Sequence, residues 1–259
     1  MTESLSPSLV TLEQSGSVAR ITLNRSSARN ALSRALCDEL LQVLARVHAL
    51  AEAGAVRAVT LQGSGPAFSA GADLKERATM DPAAMSAHSR AIAACADACA
   101  ALPCPSVACI NGAALGGGLE LALGCDLRVV ARDATLGFPE LGYGFFPGAG
   151  GPVRLVRLVG ISTATYLMMS TARIDGEQAV ALQLCNVLTP PGGADRQGFA
   201  LAEKIASFPV NGVRALRELL ASFDGEWFVA SMARARVMRD RLNDDAEVRN
   251  ALAGFGRRG

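Results

Sequence analysis

Between Pro105 and Ala131 the chain reads PSVACINGAALGGGLELALGCDLRVVA. The apolar run PSVACI has the length and β-branched content of a short buried strand, and DLRVVA reads as another. Between them, the triple glycine Gly116–Gly118 opens a helix. Strand, glycine-opened helix and strand in so short a span call for sheet layers covered by helices. The same span poses a chemical problem. Glycine costs conformational entropy in regular structure, and Glu120 sits among apolar residues, where an unpartnered carboxylate is expensive. Both features need a compensating role.

A membrane helix is one way to read Val107–Cys125, with Gly112 and Gly116 as a small-residue contact. Glu120 would then lie in the bilayer at a cost of about 3 kcal/mol, and no basic cluster flanks the run. A span is rejected. The whole chain is 50% hydrophobic and 19% charged, with a formal net charge of +1. No overall field therefore draws it to nucleic acid or to a membrane surface. The start, MTESLSPSLVTLEQ, lacks a basic region followed by an apolar one, so it does not resemble a secretory signal. Seven cysteines, an odd number in apolar surroundings, fit reduced thiols and a cytoplasmic protein. Cys95, Cys99, Cys104 and Cys109 cluster, but there is no C-x-x-C pair and only two histidines, His48 and His88. They read as small buried hydrophobes, and no metal is expected.

The rest of the first half continues the alternation. Residues 10–14 and 18–24 form a hairpin across a Ser-Gly turn. Ser33 caps a helix whose apolar positions are Leu36, Leu40, Leu41, Leu44 and Val47. Residues 56–63 are a strand, SGPAFSAGADLKE is a loop, and 83–101 are helical. After Pro147 helices dominate, over 149–159, 161–170 and 176–184, with a single strand at 186–189. PPGGADRQG (190–198) has the composition of a linker, and 199–256 reads as helical throughout. The expected organisation is a core over 1–190 and a helical region over 191–259 that packs on the core and on neighbouring subunits.

Two common site types fail on spacing. A dinucleotide loop from Gly116 and Gly118 needs glycine at 121, which is leucine. From Gly148 and Gly150 it needs glycine at 153, which is valine. No phosphate-binding G-x-x-x-x-G-K-[ST] is present. Ala67-Phe68-Ser69-Ala70-Gly71 has the outline of a nucleophile elbow. The only histidine after it, His88, follows too closely on a helix to complete the usual order.

Three further segments belong together: GSGPAFSAGADLKE, NGAALGGGLELA and GFPELGYGFFPGAGG. In this order and spacing they resemble the crotonase, or enoyl-CoA hydratase/isomerase, superfamily, from LNRSSARNALS onward to the helical tail. The resemblance implies an α/β fold: a spiral of ββα units with a C-terminal helical oligomerisation region, assembled as a homotrimer or dimer of trimers. It implies acyl-CoA substrates and fatty acid metabolism, with no cofactor beyond the CoA that arrives on the substrate. By the family's pattern the backbone N–H groups of Ala72 and Gly117 form an oxyanion hole for an enolate-like thioester oxygen. Glu120 falls three residues after Gly117, on the same helical face. Glu120 and Glu140 then take the places of the hydratases' two acids, Glu120 mainly activating water and Glu140 mainly protonating the α-carbon. Ala28, Arg29, Ala70, Asp73, Leu74, Lys75, Gly116 and Gly148 are the expected substrate and CoA contacts, Arg29 and Lys75 as phosphate partners. Departures are Ser26 for the proline usual after Asn-Arg, Phe138 before Pro139-Glu140, and no glycine after the glutamate in Asp245-Ala246-Glu247-Val248. Tyr143, Phe145 and Phe146 stand beside the second acid, as acyl-pocket lining or as core packing. The retained acids favour an enoyl-CoA hydratase over an isomerase or a silent homologue.

Overall fold

The computed structural model describes residues 8–222 and 225–243. The segment 245–248 therefore lies outside the described residues. The chain begins with the expected hairpin, β1 (Val10–Ser15) and β2 (Val18–Leu23), paired antiparallel. Helix α1 (Arg34–Glu52) follows, and the Ser33 side chain accepts a hydrogen bond from the Leu36 N–H at its start. Then come β3 (Ala58–Gly63), β4 (Ala67–Ser69), α2 (Leu74–Arg77) and α3 (Pro82–Ala100). The central span gives β5 (Ser106–Ile110), β6 (Ala113–Leu115), α4 (Gly117–Leu123), β7 (Leu127–Ala131) and β8 (Leu136–Gly137). Next are α5 (Gly151–Met169), β9 (Arg173–Ile174), α6 (Gly176–Ala181) and β10 (Val187–Thr189). Helices α7 (Ala194–Ala206), α8 (Val210–Ser222) and α9 (Gly225–Asn243) complete it.

Two sheets organise these strands. The larger has the order β1-β2-β3-β5-β7-β10 and is parallel beyond the hairpin. Its central strands β3, β5 and β7 are buried nearly throughout, and β5 and β7 accordingly read as apolar runs rather than alternating ones. On one face α1 buries Leu36, Cys37, Leu40, Val43, Leu44, Val47 and Ala51. On the other, α7 lays Ala194, Ala202 and Ala206 against Val18, Ala58, Val107 and Val129. Small residues let α7 approach closely. Its start at Ala194 corrects the linker reading of 190–198: the Asn111 side-chain oxygen accepts from the Ala194 N–H at 2.9 Å and fixes the first turn.

The smaller sheet, β4-β6-β8-β9, is made of strands too short to show a period in the sequence. Neighbours β4, β6 and β8 run parallel, so the segments leaving their C-terminal ends emerge side by side. These segments are Ala70–Ala72, Gly116–Gly117 and Phe138–Glu140. The three motifs of the sequence are thereby gathered at one sheet edge, where open α/β sheets commonly bind ligands. The final helix, α9, packs across α3 and α5 and closes one side of that edge.

Candidate active site

The cavity at this edge is lined by Ala70, Ala72, Leu74, Gly116, Gly117, Glu120, Glu140 and Gly148, eight of the expected contacts. Tyr143, Phe145 and Phe146 line it as well, so the aromatics beside the second acid do face the pocket. Phe145 also belongs to a small cluster with Met85. Four expected contacts lie elsewhere. Arg29 and Lys75 are exposed and Ala28 half-buried. The Asp73 carboxylate is spent on structure: it caps α2 and pairs with Arg25 at 2.6 Å. The loops are nonetheless joined, because the Ala70 N–H donates to the Arg29 carbonyl at 2.9 Å. Sequence reasoning missed the lining residues Arg77, Ser89, Ile92, Ala149 and Arg239.

The triple glycine resolves into three separate demands. Gly116 has φ +50° and ψ −126°, a conformation that side chains avoid, and a Cβ there would stand 2.5 Å from Glu140 Oε1. Gly117 is the first residue of α4, and its ideal Cβ position is 3.7 Å from the Ala72 nitrogen. Gly118 packs on Ser69, whose carbonyl oxygen would stand 2.5 Å from an added Cβ. Neither the Ala72 nor the Gly117 N–H has a hydrogen-bond partner among the described residues. Two nearby donors without partners among the described residues, one at a helix N-terminus, are the kind of arrangement that can receive a developing negative charge.

Glu120 lies one turn along α4, buried at 3% exposure. Its Oε1 accepts from the Ala149 and Gly151 N–H groups, both at 2.8 Å. Gly151 is the first residue of α5, so the carboxylate also sits at the positive end of that helix. Burial pushes its pKa up to about 7, against those two N–H donors and the charges of Arg154 and Arg239. Glu140 opens a short 3-10 turn, Glu140–Tyr143. Its buried Oε2 has no hydrogen-bond partner among the described residues. Burial, then the Glu120 charge, push its pKa up to about 8, against a hydrogen bond from its own backbone N–H and the charge of Arg77. Two acids poised around neutrality on one cavity are suited to proton transfer in both directions.

Ser69 is a strut. Its hydroxyl donates to the Asn30 carbonyl at 2.8 Å and accepts from the Gly71 N–H at 3.2 Å. His88 is likewise committed, with Nε2 2.6 Å from the Leu32 carbonyl.

The sequence profile described as "Enoyl-CoA hydratase/isomerase" matches residues 13–256. The chain belongs to the enoyl-CoA hydratase/isomerase family. It is 36% identical over 245 residues to a "Putative enoyl-CoA hydratase" of Thermus thermophilus, covering 93% of this chain and 95% of that one. It is 44% identical over 170 residues to the Bos taurus "Enoyl-CoA hydratase domain-containing protein 2, mitochondrial". That match takes in 65% of this chain and spans only 56% of the length of the bovine protein. Among solved structures, an enoyl-CoA hydratase from Bacillus anthracis superposes with a TM-score of 0.81 at 33% identity, covering 97% of each chain. The fold is thus the crotonase fold, with its C-terminal helices in place.

Proposed function

We propose that this protein hydrates 2-enoyl-CoA thioesters reversibly to 3-hydroxyacyl-CoA. The observation that carries the reading is the pair of acids on the cavity that also holds the Ala72 and Gly117 N–H groups. In the forward direction Glu120 takes a proton from water as the water oxygen bonds to C3. The C2–C3 π electrons shift toward the thioester, and the carbonyl oxygen takes up negative charge between the two donors. Such donors contribute about 2.7–4 kcal/mol each when fixed and shielded. Glu140 then gives its proton to C2 and the carbonyl re-forms. One proton has passed to Glu120 and one has left Glu140, so a proton must return to Glu140 before the next turnover.

The reading needs no cofactor beyond the substrate's CoA, whose adenosine and pantetheine lie along the 28–29 and 72–75 segments. Arg29 and Lys75, both exposed, meet its phosphates. Apolar side chains exposed on α8 and α9, including Leu216, Leu220, Trp227 and Val237, support association of three copies.

A second reading has its own observation. Isomerisation of a 3-enoyl thioester needs a single base, and one relative, 39% identical over 189 residues, is named "Enoyl-CoA isomerase/hydratase claC". The deciding experiment follows loss of enoyl-thioester absorbance from crotonyl-CoA with wild type, Glu120→Gln and Glu140→Gln. Hydration that both substitutions abolish supports the proposal. Consumption of 3-enoyl-CoA alone, dependent on one acid, replaces it with the isomerase.

A further inference from the structure

Four arginines are buried among the described residues: Arg77, Arg128, Arg154 and Arg239. Three have strong acceptors. Arg128 donates to the Leu184 and Cys125 carbonyls at 2.7 and 2.8 Å. Arg154 pairs with Asp97 at 2.6 Å and donates to the Ala149 carbonyl at 2.9 Å. Arg239 pairs with Asp240 at 3.0 Å and donates to the Gly148 carbonyl at 3.2 Å. Arg77 is different. It is 7% exposed and lines the cavity, yet its hydrogen bond within the described residues is to the Ser89 hydroxyl. Its buried Nε has no partner among the described residues.

A buried guanidinium short of acceptors is costly. This one is held in place: its Cζ lies over the Phe145 ring, 4.9 Å from the centroid, and Ser89 holds one end of the fork. The ring contact and the Ser89 tether hold the group while Nε stays without an acceptor among the described residues. Burial lowers the Arg77 pKa only to about 10, so the group is cationic at neutral pH. A planar, pre-oriented cation with an idle donor matches the geometry of a carboxylate. Leu74 and Ile92 provide an apolar wall in the same cavity.

We propose that Arg77 receives a second carboxylate carried on the acyl chain, so that the substrates are CoA monothioesters of unsaturated dicarboxylic acids. This inference rests on the acyl-CoA reading of the cavity, and it names the substrate class within it. Arg77 is then the residue that separates diacid from plain fatty acyl thioesters.

The test uses saturated thioesters, which cannot be hydrated, so its outcome is separate from that of the hydratase reading. Binding to the whole protein is titrated for glutaryl-CoA against pentanoyl-CoA and for adipyl-CoA against hexanoyl-CoA. In wild type at least one diacid thioester should bind about 10–100-fold tighter than its partner of equal carbon number. Arg77→Met should bring that ratio near one, and Arg77→Lys should keep part of it. A wild-type ratio near one for both pairs overturns the proposal, and that arm needs no variant to fold. A ratio unchanged in Arg77→Met, with both affinities falling together, overturns it as well. If crotonyl-CoA is hydrated while diacids have no advantage, the hydratase reading stands and this inference falls alone.

Discussion

The two acids share one cavity but are held in opposite ways. Glu120 grows from a helix and is clamped at one oxygen by two backbone N–H groups of the 149–151 turn. Glu140 stands on an irregular segment, packs against Gly116, and leaves its buried Oε2 unpartnered. The difference is chemical as much as structural. A clamped acid keeps one orientation toward an attacking water, and the N–H clamp favours its charged form. A more weakly held acid, with one oxygen short of a donor and another carboxylate close by, keeps its proton to higher pH. In the proposed reaction the base and the proton donor are set apart by what surrounds them rather than by residue type.

The largest effect should come from removing the acids' charge states. Glu120→Gln and Glu140→Gln should each lower kcat for hydration about 10²–10⁴-fold, measured with crotonyl-CoA. If only one substitution matters, the two-acid comparison breaks. Gly116→Ala comes next. Its Cβ would strike Glu140 Oε1 and its backbone conformation disfavours any side chain. The variant should lose about 1–3 kcal/mol of stability by denaturant unfolding, and activity should drop with it as Glu140 is displaced.

The pH dependence sharpens the same contrast. A base with pKa about 7 loses function as pH falls below it, and an acid with pKa about 8 loses function as pH rises above it. The kcat/KM profile should therefore be a bell with its maximum between them. Stability carries a second sign. Both carboxyls sit above the ordinary value of 4.5, so the folded state holds more protons than the unfolded one from about pH 4.5 to 8. Stability should fall as pH rises across that window. Glu140→Gln removes its share, so the variant should gain on wild type as pH rises to 8 and match it below 4.5. Wild-type stability that rises through this window contradicts the assignment. The smallest effect should be Lys75→Ala, an exposed cation whose loss should raise KM no more than about fivefold and less at high salt.

The larger sheet and its covering helices were legible because their signals are long. The α1 stripe from Leu36 to Val47 repeats at helical spacing, and Ser33 announces its start. The smaller sheet was not, since AFS, AAL, LG and RI are two or three residues each and carry no period. Yet that sheet assembles the site. Glu120, Glu140 and the glycines were found through the family's motifs, whereas the N–H clamp on Glu120 depends on a turn 29–31 residues away. Arg77 was hidden differently. In LKER it looks like one more solvated charge on a helix, and only Phe145, from a distant segment, folds over it. Long-range closure of this kind leaves no local trace.

The central claim is that the two acids add water across an enoyl thioester. Incubating wild type with crotonyl-CoA in ¹⁸O-labelled water, with the product read by mass spectrometry, tests it directly. Wild type should place one ¹⁸O at C3, and Glu120→Gln none in the same time. A wild-type protein that leaves C3 of the thioester unlabelled under these conditions would contradict the claim.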